Sequence, residues 1–179
     1  MRKRKLSVSE EQASQSDVVH RFIGLSLGGG KTDKTCLAVV EYFPRQKKLF
    51  LSRIHDRIKS DEKISGDSKI HEIILQNSKS LESVAFDTAL TLPACLTCSK
   101  PCPGIETCTE PHAKWLWKNF ESTQSKKRPK KLFTPYTQRC AETYIATELE
   151  VPFQVSHAMG ANSAPLLARA LFIKKRLQY

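Results

Sequence analysis

Four cysteines fall within fourteen residues, as Cys95-x2-Cys98-x3-Cys102-x5-Cys108, and no other feature restricts this chain so tightly. Pro93, Pro101, Pro103 and Gly104 stand among them. The stretch is therefore expected to run as a loop of tight turns rather than as continuous helix or strand. Thiolates spaced like this wrap one soft ion. Zinc would accept all four, or three of them with His112. A cubane iron–sulfur cluster also takes four thiolates, and the Cys102-Pro103 pair has a ferredoxin-like look. Spacing leaves zinc, an iron–sulfur centre and unliganded thiols open. A full set of four leaves no position for substrate, so the expected role of the ion is structural. Crowding four of six cysteines into one segment fits thiolate ligands in a reducing compartment better than a disulfide framework. Cys36, in a strand, and Cys140, in a helix, are expected to be small buried hydrophobes.

With 179 residues and 40% hydrophobic content, the chain can bury one ordinary core. Residues 1–18 are polar with few large apolar groups, and they are expected to form a disordered tail. Residues 19–179 are expected to form one domain, with the cysteine-rich part inserted at about 93–120. No run approaches the eighteen apolar residues of a membrane span. The opening Met1-Arg-Lys-Arg-Lys also lacks the apolar stretch of a secretory signal, so a cytoplasmic location without membrane partners is expected. Lys and Arg number 29 against 18 Asp and Glu, a formal charge of +11, which favours an anionic partner such as nucleic acid. The charge gathers at Arg2 to Lys5, Lys126 to Lys131 and Lys174 to Arg176. A solvated face that aids solubility is the plainer account of those clusters.

Hydropathy patterning predicts an α/β fold. Arg21 to Leu27, Thr35 to Phe43 and Lys48 to Ile54 read as three antiparallel strands joined by a Gly-rich turn and a turn at Pro44 to Lys47. Ile70, Ile73, Ile74 and Leu81 recur at helical spacing across Asp67 to Leu81. Leu81 to Ala89 then reads as a buried strand joining in parallel after that helical crossover, with Asp87 near its carboxyl end, where open α/β sheets bind ligands. A turn-forming role at the strand end is the plainer reading of Asp87. Helices are predicted at Lys114 to Phe120, with Trp115 and Trp117 as packing groups, and from Thr134-Pro135 to about Glu148. A last helix opens near Asn162-Ser163, with Leu166, Ala170, Ile173 and Leu177 as its buried stripe. Gly28-Gly29-Gly30-Lys31-Thr32 looks like the end of a phosphate-binding loop, but Leu25 stands where that motif needs Gly, and a strand follows instead of a helix.

The order of a three-strand meander, a helix, a fourth strand and further helices is what an RNase H-like mixed sheet would give. Four segments sharpen it: Ile23-Gly-Leu-Ser-Leu-Gly-Gly, Ala85-Phe-Asp-Thr-Ala-Leu-Thr-Leu-Pro, Thr134-Pro-Tyr-Thr-Gln-Arg, and Gly160-Ala-Asn-Ser-Ala-Pro-Leu-Leu-Ala-Arg-Ala. Together they resemble an uncharacterised bacterial family of predicted nucleases with that fold, over about residues 20 to 175. The resemblance implies acidic residues that hold magnesium or manganese and activate water against a phosphodiester. Asp87 matches the fourth-strand acid, and Glu142, beside Arg139, is a candidate third group. Where the first strand of such folds carries Asp, this chain carries Ser26, a weaker ligand for a divalent ion.

Two functional readings follow from the resemblance. One is a nuclease with a partly degenerate site. Asp87 with Glu142 or Asp33 would hold one ion, and Lys31, Arg139, Asn162 and Arg169 would line the phosphate. The other is a catalytically silent RNase H-like module that binds nucleic acid through its basic face and is stabilised by the thiolate centre. A redox protein with an iron–sulfur centre is a third class. The fifth strand common in such sheets has Val151 to Ala158 as its late candidate. A chain continuing past Tyr179 would be the place for a missing acidic ligand.

Overall fold

In a computed structural model, the protein is described at residues 18–29, 34–123, 133–148, 157–160 and 162–178. The tail at 1–17, Lys31, Asp33, the basic run 126–131 and most of the late strand candidate lie outside them. The chain divides into two compact units, Met1–Ser26 with Lys34–Ala85, and Leu27–Asp33 with Phe86–Tyr179.

The first unit is built on a sheet. Strands β1 (His20–Ser26), β2 (Cys36–Phe43), β3 (Lys48–His55) and β4 (Leu81–Phe86) stand in the order β3-β2-β1-β4. β1 pairs antiparallel with β2 from His20 opposite Tyr42 to Ser26 opposite Cys36. β2 pairs antiparallel with β3, and the β1–β4 pair is the one parallel pair of this mixed sheet. The predicted α/β class and meander hold. Alternation places Ile23 and Leu25 of β1 and Leu37 and Val39 of β2 in the core, each at most 2% exposed. Their burial is the main stabilising contribution of the sheet, about 1.5–3 kcal/mol for each side chain. The register slips between Val39 and Val40, where Val39 faces Arg53 but Val40 faces Leu51, so Ser52 is an extra residue that bulges β3. The β2–β3 turn, Pro44 to Lys47, closes with Lys47 at φ 51°, the left-handed value a tight hairpin end demands.

Helix α1 (Gly66–Gln76) crosses between β3 and β4 and buries Gly66, Ile70 and Ile74. Ser65 caps its start by accepting the Ser68 N–H at 3.1 Å. Gly66 is buried, and its N–H donates to Ser60 Oγ at 2.8 Å. The helix is shorter than its apolar periodicity predicts. At Asn77 the backbone N–H turns back to Ile74 O, the side-chain amide donates to Ile73 O at 2.7 Å, and Ser80 takes φ 63°. Leu81 therefore opens β4 instead of ending the helix. β4 itself is half-buried at the sheet's other edge, contrary to the buried strand expected, with Glu82, Ser83 and Ala85 exposed. It stops at Phe86, so Asp87 stands one residue past the strand. β3 is exposed along nearly its whole length, with Leu49 at 66%, Leu51 at 60% and Ile54 at 57%.

The second unit is helical. It holds α2 (Ala94–Thr97), α3 (Pro111–Thr123), a 3-10 turn at Pro135–Thr137, α4 (Cys140–Glu148) and α5 (Ala164–Arg176). The single helix predicted from Thr134 is broken, because Gln138 takes an extended conformation (φ −120°, ψ 144°) between the 3-10 turn and α4. α3 begins three residues earlier than predicted, with Pro111 as its first residue, where a missing N–H costs nothing. Trp117 packs edge-on to Phe133, with Phe120 beside both, yet stays 39% exposed. On α5 Ala170 and Ile173 of the predicted stripe are buried together with Leu167, while Leu166 and Leu177 are half-buried. Lys174, Lys175 and Arg176 occupy its last turn, where cations complement the helix dipole. No helix among the described residues is long and apolar enough to cross a membrane.

Candidate metal centre

The cysteine segment is set up by its prolines and one glycine. Pro93 is buried and precedes α2, and the Leu96 N–H bonds back to Pro93 O at 3.0 Å. This four-residue helix carries Cys95 and releases Cys98 into extended backbone (φ −69°, ψ 124°). The chain then runs irregularly to α3 through Gly104 at φ 98°, a conformation that favours glycine. Thr107 Oγ1 donates to Pro103 O at 2.8 Å across that turn. An ion pair between Lys100 Nζ and Glu110, 2.7 Å long, ties the middle of the loop to its end. It raises the Lys100 pKa and lowers that of Glu110.

The outcome is a single hollow lined by Cys95, Cys98, Cys102 and Cys108, with Glu110 and His112 also on its wall. All six cysteines of the chain are free thiols. Cys95 and Cys108 are half-buried, while Cys98 and Cys102 are exposed. Burial pushes the Cys95 thiol above its ordinary range, and the negative charge that Cys108, Cys102, Cys98 and Cys140 would carry pushes it further. A divalent cation would relieve the Cys95 thiol, since metal thiolates ionise against the cation's charge. The side chains line the hollow without closing on a point. Among the described residues, no three His, Cys, Asp or Glu side chains form a group able to hold an ion as they stand.

The residues proposed for phosphodiester chemistry fall in different places. Asp87 is exposed, and its Oδ1 accepts the Leu27 N–H at 3.1 Å. Glu142 is buried at 8% exposure and commits both oxygens to Arg139. Its Oε1 accepts from the guanidinium at 2.6 Å, and its Oε2 accepts the Arg139 backbone N–H at 3.0 Å. That is the carboxylate half of a helix-capping arrangement, three residues into the opening of α4. Arg139 also donates to Thr91 Oγ1 at 2.9 Å. Arg169 on α5 donates to the carbonyl of Gly28. A Cβ added at Gly29 would meet Leu166 Cδ2 at 3.1 Å, so the glycine allows close approach of loop and helix. Lys174 Nζ donates to Leu90 O at 3.3 Å, and Asn162 is exposed in the turn before α5. Ser26 ends β1 in the other unit, exposed and opposite Cys36.

Cys140 was expected to be a small buried hydrophobe. The thiol is half-buried at the start of α4, and its Sγ donates to His112 O at 3.8 Å. No protein-family model matches this chain, and no curated protein and no solved structure matches it. The resemblance carried by the four sequence segments therefore rests on those residues alone.

Proposed function

We propose that this chain is a nucleic-acid-binding module of RNase H-like fold, stabilised by a structural zinc on Cys95, Cys98, Cys102 and Cys108. The observation that carries the reading is the common hollow lined by all four thiols, with His112 and Glu110 on the same wall. Zinc supplies a charge the thiolates need and asks only for tetrahedral sulfur or nitrogen ligands. Because the ion forms its bonds in the folded chain, its binding free energy adds to stability. The RNase H-like part is supported by the strand order β3-β2-β1-β4 with one parallel pair. The excess of 29 basic over 18 acidic residues supports an anionic partner. An iron–sulfur centre on the same thiols would announce itself by brown colour and visible absorption.

A second reading, divalent-ion hydrolysis, is favoured by one feature. Asp87 stands exposed immediately past the carboxyl end of β4, where α/β sheets place ligands. Magnesium or manganese held there would activate water against a phosphodiester. The commitment of Glu142 to Arg139 weighs against it. One experiment separates the two readings. Elemental analysis of chain purified without added metal is combined with incubation on single-stranded and duplex DNA or RNA, with magnesium or manganese, for wild type and Asp87→Ala. Bound zinc, with binding that survives Asp87→Ala and weakens with salt, supports the module. Cleavage lost in Asp87→Ala supports the enzyme, and absence of both zinc and iron removes the centre.

A further inference from the structure

We infer that the solvent face of α5 is a binding surface for single-stranded nucleic acid, with Phe172 as the platform on which a base stacks and Lys175 and Arg176 as its phosphate contacts. The inference rests on the nucleic-acid reading and deepens it by naming the strand form and the surface that meets it. α5 turns Leu167, Ala170 and Ile173 into the core. On the opposite side Pro165, Ala168, Phe172 and Lys175 are exposed, a stripe at helical spacing. Phe172 is 51% exposed and is the one aromatic group on that stripe. Ala168, one turn before it, is small. Arg176, one turn after it, sets its guanidinium 6.0 Å from the ring centroid.

The charge around this ring is of one sign. From Val151 to Tyr179 the chain carries no Asp or Glu, although 18 occur in its 179 residues. Lys174, Lys175 and Arg176 fill the last turn of α5, and their charges outweigh the partial negative charge of a helix C-terminus. Lys174 reaches inward to Leu90 O, whereas Lys175 is exposed and Arg176 is half-buried beside the ring. A polyanion would thus meet cations with no carboxylate on the helix that bears them, and a base would find an apolar ring next to them. Duplex DNA keeps its bases stacked on one another, so an unpaired strand is the form with a base face to offer Phe172. An anionic bilayer would be drawn by the same cations, but a helix lying in a membrane presents a broad apolar face, and that face of α5 is buried in the core.

The test uses the full chain and the fluorescence anisotropy of labelled DNA of about 16 nucleotides, single-stranded and duplex, at low salt. Wild type is expected to bind the single strand more tightly than the duplex. Phe172→Ala and Phe172→Leu should each weaken single-strand binding roughly 5- to 150-fold, the range for losing one stacked base, and leave duplex binding unchanged. Phe172→Leu keeps the apolar bulk should Phe172→Ala fail to fold. Phe172→Trp should retain the affinity, with indole emission quenched as the strand is added. Lys175→Gln and Arg176→Gln should each reduce the slope of log affinity against log salt by about 0.7, one phosphate contact on a single strand. A wild type that binds neither form ends the nucleic-acid reading and this assignment together. If wild type binds but Phe172→Leu and Phe172→Ala match it, or if wild type prefers the duplex, the reading stands and the assignment falls. It falls too if Phe172→Leu loses binding to phosphatidylserine vesicles while its single-strand binding stays intact, which would make the surface one for lipid.

Discussion

Glu142 shows how a residue's chemistry depends on what already holds it. Its sequence position beside Arg139 was legible, and the two do meet, but the carboxylate closes on the guanidinium and on the backbone N–H that opens α4. Glu142→Gln keeps the shape and removes the charge, and it is expected to lower stability by about 1–3 kcal/mol in urea titration, the usual cost of weakening a hydrogen bond to a charged group. If Glu142 instead served a divalent ion, that variant would change the magnesium dependence of cleavage and leave the urea midpoint in place. Asp61 offers a test in pH. Its carboxylate accepts from the Lys69 ammonium and from the Ile64 and Lys63 N–H groups, which hold its pKa at about 2 instead of 3.8. A pKa lower in the folded state means stability that is present above the unfolded value and lost as pH falls through the folded one. Asp61→Asn is therefore expected to be less stable than wild type at about pH 6 and to approach it as pH falls below about 4 toward 2, measured by denaturant midpoints at each pH.

At the scale of elements, the strands were the most legible part. Ile23, Leu25, Leu37 and Val39 alternate as half-buried strands require, and each enters the core. Helix faces and ends were harder to read. Leu81 continued the apolar spacing of α1, yet local hydrogen bonds at Asn77 and the positive φ of Ser80 end that helix first. On α5, Leu166 and Leu167 fit a stripe equally well by residue type, and packing alone chose Leu167, which is 1% exposed. Leu167→Ala should therefore cost about 2–5 kcal/mol, and Leu166→Ala distinctly less, by thermal or chemical unfolding. Equal losses would mean the helix is rotated from its described face. That the four clustered cysteines would border one hollow was legible, because they lie close in sequence.

Across the whole molecule, charge and architecture carry different information. The formal charge of +11 says that polyanions are attracted and nothing about which face meets them. With about three phosphate contacts, affinity for duplex DNA is expected to fall roughly 40-fold from about 50 to about 200 mM salt, read by fluorescence anisotropy, and a flat response would remove the nucleic-acid partner. The mixed sheet was foreseen from the order of patterns, but the division into two units was not, since hydropathy says which residues seek shelter and not which of them shelter together. The exposure of β3 has a practical bearing. Among the described residues, its outer margin presents Leu49, Phe50, Leu51 and Ile54 beside hydrogen-bonding groups that no further strand engages. A margin of that kind can template pairing between molecules, which the charges of Lys48 and Arg53 on the same strand oppose. Concentrated stocks should thus cloud as salt screens those two cations, and Phe50→Lys should keep them clear in light scattering.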